Sequence, residues 1–239
     1  MFNILTLNKI SKVGLDKLDP AKYTCSDSVE APDAILVRSA SMHEMTLSPA
    51  TLAIGRAGAG VNNIPVADFG AQGVAVFNTP GANANAVKEL VLCSLFLASR
   101  KVASAVDWCK TLKGEGDAVG KLVEKGKSAF AGPEILGKTL GVIGLGAIGT
   151  LVAEGAKALG MDIVGYNPKL SEERIADLTS KGVKLMSSLD ELYAASDYIT
   201  LHLPLNDSTR GMINGEAIAK MKDGVRILNF ARGELVDSD

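Results

Sequence analysis

Short apolar runs alternate with helical or loop segments through the first hundred residues. The runs Phe2–Leu7, Ala34–Val37, 52–55 and 74–77 predict strands, and the stretches between them give the βαβ rhythm of a parallel sheet. Val87, Leu90, Val91, Leu95, Val102 and Val106 then recur at helical spacing, which predicts one long helix over 86–112. Its most apolar part, 90–98, is too short to span a bilayer and reads as a buried helix with Cys93 in the core. Residues 113–132 mix Lys113, Lys121, Lys125 and Lys127 with Glu115, Asp117 and Glu124 among glycines, the pattern of a solvated connector. A second series begins at Lys138. Strands are predicted at 140–143, Asp162–Tyr166, 183–186, Tyr198–Leu201 and 225–229, and helices at 150–159, 171–180, Leu189–Ala195 and 215–221. The fold class is therefore α/β, two doubly wound parallel-sheet domains with a cleft between them. Ligands of such sheets sit beyond the carboxyl ends of the strands, so the residues after each strand are the ones to inspect.

The first of these strand ends reads Leu140-Gly141-Val142-Ile143-Gly144-Leu145-Gly146-Ala147-Ile148-Gly149, an apolar run closing in G-x-G-x-x-G before a small-residue helical pattern. Strand, tight turn and helix in that order can cradle a pyrophosphate. Gly144 allows a positive φ, Gly146 lets backbone approach phosphate, and Gly149 lets the helix pack close, while the helix N-terminus offers free N–H groups. Asn167 follows 18 residues after Gly149, where an Asp or Glu usually holds the ribose 2′-hydroxyl of NAD. Asn can bond a hydroxyl but carries no charge to repel a 2′-phosphate, and Lys169 lies two residues on. NAD is the favoured cofactor, with NADP the alternative.

Three further strand ends carry candidates. His202-Leu203-Pro204-Leu205, followed by Thr209, places a histidine that can donate a proton, wall off a nicotinamide or simply be satisfied by backbone. Asn229-Phe230-Ala231-Arg232-Gly233 brings Arg232 to a sheet edge, where a guanidinium can fork onto a carboxylate and polarise a neighbouring carbonyl. In the first series, Arg38 follows a strand and can meet an anionic substrate, and the turn at Gly58-Ala59-Gly60-Val61 can offer N–H groups to a carboxylate. His43, the only other histidine, reads as a surface-loop residue or a substrate contact.

Composition narrows the partners. The 239 residues are 47% apolar and 22% charged with a net charge of −2, which suits two soluble domains and gives no argument for nucleic acid or membrane. Met1-Phe2-Asn3-Ile4-Leu5 reads as a strand and not a signal peptide, consistent with the cytoplasm. Cys25, Cys93 and Cys109 are odd in number and lack metal-like spacing, so reduced thiols and no metal site are expected.

These segments together resemble the D-2-hydroxyacid dehydrogenase family. The likeness runs through Val37-Arg38-Ser39, Gly55-Arg56-Ala57-Gly58-Ala59-Gly60-Val61 and Asn78-Thr79-Pro80-Gly81-Ala82-Asn83. It continues through the Gly144 to Gly149 turn, His202-Leu203-Pro204-Leu205, Met221-Lys222-Asp223-Gly224-Val225 and Asn229-Phe230-Ala231-Arg232-Gly233. It is nearest to members that oxidise 3-phospho-D-glycerate in serine biosynthesis, an unphosphorylated acid such as glycerate or lactate being the alternative. The resemblance implies a flavodoxin-like substrate domain over 1–100, a long helix and connector over 101–137, and an incomplete Rossmann domain over 138–239. It implies hydride transfer between NAD and C2 of a D-2-hydroxy acid, with Arg232 gripping carboxylate and carbonyl. Arg38, Ser39, Gly58 and Asn83 fall at its substrate positions, and Lys127 is a weaker candidate for the phosphate end. Gly144, Gly146, Ala147, Ile148, Gly149, Asn167, Pro168, His202, Leu203, Pro204, Thr209 and Ala231 fall at its cofactor positions. Asn167 replaces the family's usual Asp, and Glu234 stands where a second glycine is frequent. The family's catalytic Glu and His fall beyond the point matching Asp239, and neither His43 nor His202 matches that His. Little or no dehydrogenase activity is therefore expected of these 239 residues alone, which also leaves a non-catalytic NAD-binding interaction protein in view. A homodimer or higher homo-oligomer is the implied assembly.

Overall fold

In the computed structural model, which describes residues 1–239, the apolar runs of the first third form one parallel sheet. Its elements are β1 (Phe2–Leu7), α1 (Lys12–Leu15), β2 (Tyr23–Ser26), β3 (Ala34–Val37), β4 (Ala53–Arg56), α2 (Val66–Ala71) and β5 (Ala75–Asn78). The strand order is β2-β1-β3-β4-β5, the flavodoxin-like 2-1-3-4-5 arrangement. Leu5, Ile35, Val37 and Ile54 pack with Met42, Ile64 and Phe69 in its core. Strand β2 has no counterpart in the pattern of apolar runs. Tyr23-Thr24-Cys25-Ser26 is largely polar and becomes a strand by pairing in parallel with Phe2 to Leu5 of β1. This unit is Met1–Asn83.

The second unit, Ala84–Asp239, is built on β6 (Thr139–Ile143), α6 (Ala147–Ala158), β7 (Asp162–Tyr166), α7 (Glu172–Ser180), β8 (Val183–Leu185), α8 (Leu189–Ala195), β9 (Tyr198–Leu201), α9 (Gly215–Ile218) and β10 (Arg226–Asn229). The order β10-β9-β6-β7-β8 has the first strand central and reverses direction of growth beside it, the Rossmann arrangement for five strands. Both faces are covered, so the central strands β6, β7 and β9 are mostly apolar and buried, while the edge strands β8 and β10 carry Lys184, Arg226 and Asn229. Leu140 and Val142 pack with Val152, Ala156, Val91 and Leu95 on one side. Ile143, Ile199 and Leu201 pack with Leu192 and Tyr193 on the other.

The expected long helix is two helices, α3 (Ala84–Arg100) and α4 (Val102–Thr111), broken at Lys101, whose φ of 46° is left-handed. No glycine or proline marks the break, because tertiary partners make it. Arg226 Nε donates to the Ala98 carbonyl at 3.0 Å, Ser99 Oγ lies 2.6 Å from the buried Tyr198 hydroxyl, and Lys101 Nζ reaches the Ala129 carbonyl. Helix α3 is not wholly buried either. Val91 and Leu95 are sealed, but Leu90, Phe96, Leu97 and Cys93 are exposed, which corrects the placement of Cys93 in the core. It packs on α6 and clusters with the second unit. The connector is not plain solvated chain. It holds α5 (Val119–Gly126) between two 3₁₀ turns, and the Phe130 ring stacks at 5.1 Å on Trp108 of α4. After Arg232 the chain forms a 3₁₀ turn, Gly233–Leu235, and Val236 bridges to Ile213. No helix is long and apolar enough to cross a membrane.

Candidate active site

The glycine turn is shaped by contacts that a side chain would break. Gly144 has φ 96°, and a Cβ there would lie 2.6 Å from the His202 carbonyl oxygen. A Cβ on Gly149 would overlap the Gly144 carbonyl oxygen, so α6 can approach the turn only with glycine there. Gly146 is different: its added Cβ would meet no protein atom within 4 Å. The space in front of it is open, and the N–H groups of Gly146, Ala147 and Ile148 have no acceptor within the chain. Three free donors at the start of α6, with no Cβ in the way, fit a bound pyrophosphate.

The Asn167 side chain, at the end of β7, turns back onto this loop. Its Oδ1 accepts the Leu145 N–H at 3.2 Å and its Nδ2 donates to the Lys169 carbonyl at 2.9 Å. Pro168 beside it is exposed. Beyond β9, His202 is held by its N–H on the Ile143 carbonyl, and its Nε2 lies 3.0 Å from Thr200 Oγ1. Burial pushes its pKa down to about 4, so the ring is neutral at physiological pH. A neutral, anchored ring suits a wall or a structural role better than a proton donor. Thr209 ties the following loop, donating to the Pro204 carbonyl at 2.8 Å and accepting the Asn206 N–H at 2.9 Å, and Leu203 lines the turn against Gly144.

Arg232 leaves the carboxyl edge of the same sheet just after β10. Asn229 Oδ1 accepts the Ala231 N–H at 3.0 Å and its Nδ2 donates to the Arg232 carbonyl at 2.7 Å, so one side chain fixes the backbone on both sides of Ala231. Arg232 itself is exposed.

In the first unit, asparagines hold the strand ends. Asn8, at a φ of 65°, accepts the N–H groups of Ser39 and Ala40 with one oxygen, setting the chain just after Arg38. Asn63 donates to the Ala40 carbonyl, and Asn78 to the Ala59 carbonyl. Gly58 has φ 148° and lies under the Arg56 guanidinium, which would be displaced by any side chain there. Arg38, Ser39 and Asn83 are exposed at this edge. His43 is exposed, with Nε2 2.8 Å from the Asn62 carbonyl oxygen. Lys127 sits in the connector of the second unit, exposed and paired with Glu124 at 2.7 Å. Asn8 and Asn63 were not picked out from sequence, and Arg56, Asn78 and Asn229 stood there only within quoted motifs, with no role of their own. Arg56 ends a strand beside a glycine turn, the same signal that marked Arg38; the asparagines act through folded contacts and leave no such signal.

Residues 92–239 match the family model described as D-isomer specific 2-hydroxyacid dehydrogenase, NAD binding domain. The chain belongs to this family. The glycine turn and the start of α6 lie within the matched residues. Among similar proteins, the D-3-phosphoglycerate dehydrogenase of Mycobacterium tuberculosis is 41% identical over 213 residues, covering 88% of this chain and 38% of the relative. The hydroxypyruvate reductase of Thermotoga maritima is 42% identical over 210 residues, covering 87% of this chain and 63% of the relative. The NAD⁺-bound 3-phosphoglycerate dehydrogenase of Entamoeba histolytica superposes with a TM-score of 0.74 at 26% identity, covering 99% of this chain and 74% of that one. The chain thus spans about a third to three fifths of the curated relatives it matches.

Proposed function

We propose that this chain serves the NAD-dependent oxidation of a D-2-hydroxy acid at C2, with 3-phospho-D-glycerate of serine biosynthesis as the substrate. The observation that carries this reading is Arg232, held by Asn229 at the carboxyl edge of the NAD-binding sheet. Its guanidinium forks onto the substrate carboxylate and polarises the C2 oxygen, stabilising the carbonyl that forms as hydride leaves C2. NAD, when bound, would supply the hydride acceptor, and the C2 hydroxyl proton would leave to water. In the first unit, Arg38, Ser39, Gly58 and Asn83 are the candidates for substrate contact, and Lys127 of the second unit is the weaker candidate for a phosphate. Residues 1–100 form the substrate side, 101–137 the link and 138–239 the cofactor side. Exposed Leu90, Phe96 and Leu97 on α3, with Val102 and Val106 on α4, support a homodimer. Three free cysteines fit the cytoplasm.

A second reading, a non-catalytic NAD-binding interaction protein, is favoured by one observation. Both histidines are already committed, His43 to the Asn62 carbonyl and His202 to its buried place beside Thr200. Neither stands as an uncommitted base for the C2 hydroxyl proton. These 239 residues are therefore expected to bind substrate with NAD yet turn it over slowly or not at all. The test is calorimetric titration of 3-phospho-D-glycerate into the NAD-loaded chain and its Arg232→Gln variant. Charge-assisted bonds of about 1.5–3 kcal/mol predict at least tenfold weaker binding by the variant. Equal binding by the two, or no binding by either, overturns the substrate reading.

A further inference from the structure

Helix α7 sends one long side chain back to the glycine turn. Arg174, in the first turn of α7 behind the Ser171 cap, donates from Nη2 to the Leu145 carbonyl at 3.2 Å and to Thr150 Oγ1. Thr150 in turn donates to the Gly146 carbonyl at 2.8 Å. The other terminal nitrogen of the guanidinium is paired with Asp177, which also takes Lys181. We infer that Arg174 is a positioning residue for the cofactor: it fixes the Leu145–Gly146 peptide so that the Gly146 N–H faces the pyrophosphate.

In a planar trans peptide the C=O and the following N–H point in opposite directions. Tying the Leu145 carbonyl to Arg174 therefore aims the Gly146 N–H away from α7, where it has no acceptor within the chain. The adjoining peptide is tied separately, by Asn167 Oδ1 on the Leu145 N–H. Both hydrogen-bonding groups of Leu145 are thus held by elements outside the turn, β7 and α7. A turn with positive φ at Gly144 has other orientations open to it, and glycine on either side of Leu145 makes a peptide flip easy. Without Arg174 the Leu145 carbonyl keeps only a long bond from Thr150 Oγ1, at 3.3 Å, and Thr150 itself loses the guanidinium that orients it, so the peptide gains freedom and the phosphate must select one orientation from several. Asp177 neutralises the guanidinium, so the effect is geometric and not a general attraction for anions. A second tie between the same helices, Lys181 to Glu154 at 2.9 Å, lies away from the turn; because Lys181 also reaches Asp177, its removal tests the helix lacing and the shared carboxylate together while leaving the Leu145 carbonyl bond in place.

The inference rests on the turn being the NAD site. Its test is equilibrium binding of NADH and of ADP-ribose to the 239-residue chain, to Arg174→Met, to Arg174→Lys and to Lys181→Met. Arg174→Met is expected to weaken both ligands about tenfold, and Lys181→Met to stay within twofold of the unaltered chain. Arg174→Lys, which keeps the charge but offers a single nitrogen, should fall between and carries the test if Arg174→Met does not fold. Equal binding by the Arg174 variants and the unaltered chain overturns the positioning role alone. An equal loss in Lys181→Met also overturns it, since helix lacing would then explain both. Absence of NADH binding by the unaltered chain overturns the NAD site and the inference together.

Discussion

Acidification should unfold this protein through His202 before its carboxylates contribute. An unfolded histidine takes its proton near pH 6.5, whereas burial lowers His202 to about 4. Between those values the unfolded chain binds a proton that the folded chain refuses, so stability falls as pH falls. Above pH 6.5 both states are neutral and nothing is lost. At pH 5 the loss relative to pH 7 is about 2 kcal/mol, and below pH 4 it levels at about 3 kcal/mol, from a gap of about 2.5 pH units at about 1.4 kcal/mol each. That is a large part of the stability of an ordinary domain. Asp197 acts only at lower pH. Burial pushes its carboxyl up, but the Thr139 N–H and Lys222 outweigh this and hold it below its usual value. Urea unfolding at pH 7, 6 and 5, for the chain and for His202→Gln, isolates the histidine because every other group is shared. The unaltered chain should lose about 2 kcal/mol more than the variant between pH 7 and 5. Parallel pH dependences, or an NMR titration assigned to the His202 imidazole and centred near 6.5, would refute the neutral, largely buried ring.

Three other outcomes are expected. Gly149→Ala should lower stability by about 1–3 kcal/mol in thermal denaturation, and weaken NADH binding with it, because its Cβ overlaps the Gly144 carbonyl oxygen. Asn167→Asp keeps an acceptor for the Leu145 N–H and adds a charge that repels a 2′-phosphate, so the ratio of NADPH to NADH dissociation constants should rise about tenfold. Tyr198→Phe removes the buried hydroxyl beside Ser99 and should cost about 1–2 kcal/mol in urea unfolding, with no effect on NADH affinity.

The Rossmann sheet was legible because its strands are buried on both faces and bounded by sharp turns. Leu140 to Ile143 is apolar without interruption, and the glycine that follows can serve only a turn. Residues 215–221 were overextended as helix because Met221 continues the apolar period, although α9 stops at Ile218. Helix α6 in turn starts at Ala147, three residues before the predicted start, since the N-terminal turn is made by the glycines themselves. Strand β2 and the break at Lys101 were hidden for the opposite reason: each depends on residues far away in sequence, β1 in one case and Arg226 and Tyr198 in the other. The candidate site divides the same way. Residues that would touch a ligand follow strands and could be read, whereas Asn8, Asn229 and Arg174 act on backbone brought near them only by folding.

The central claim is that the turn from Gly144 to Gly149 holds NAD, and Gly146 tests it most directly. Its φ of −77° suits any residue, and an added Cβ meets no protein atom within 4 Å. Gly146→Val should therefore leave folding intact and obstruct only what the turn binds. Titrated with NADH, the unaltered chain should bind one equivalent saturably and the variant, with an unchanged circular dichroism spectrum and melting temperature, should not. Equal NADH affinity in the two chains would contradict the account.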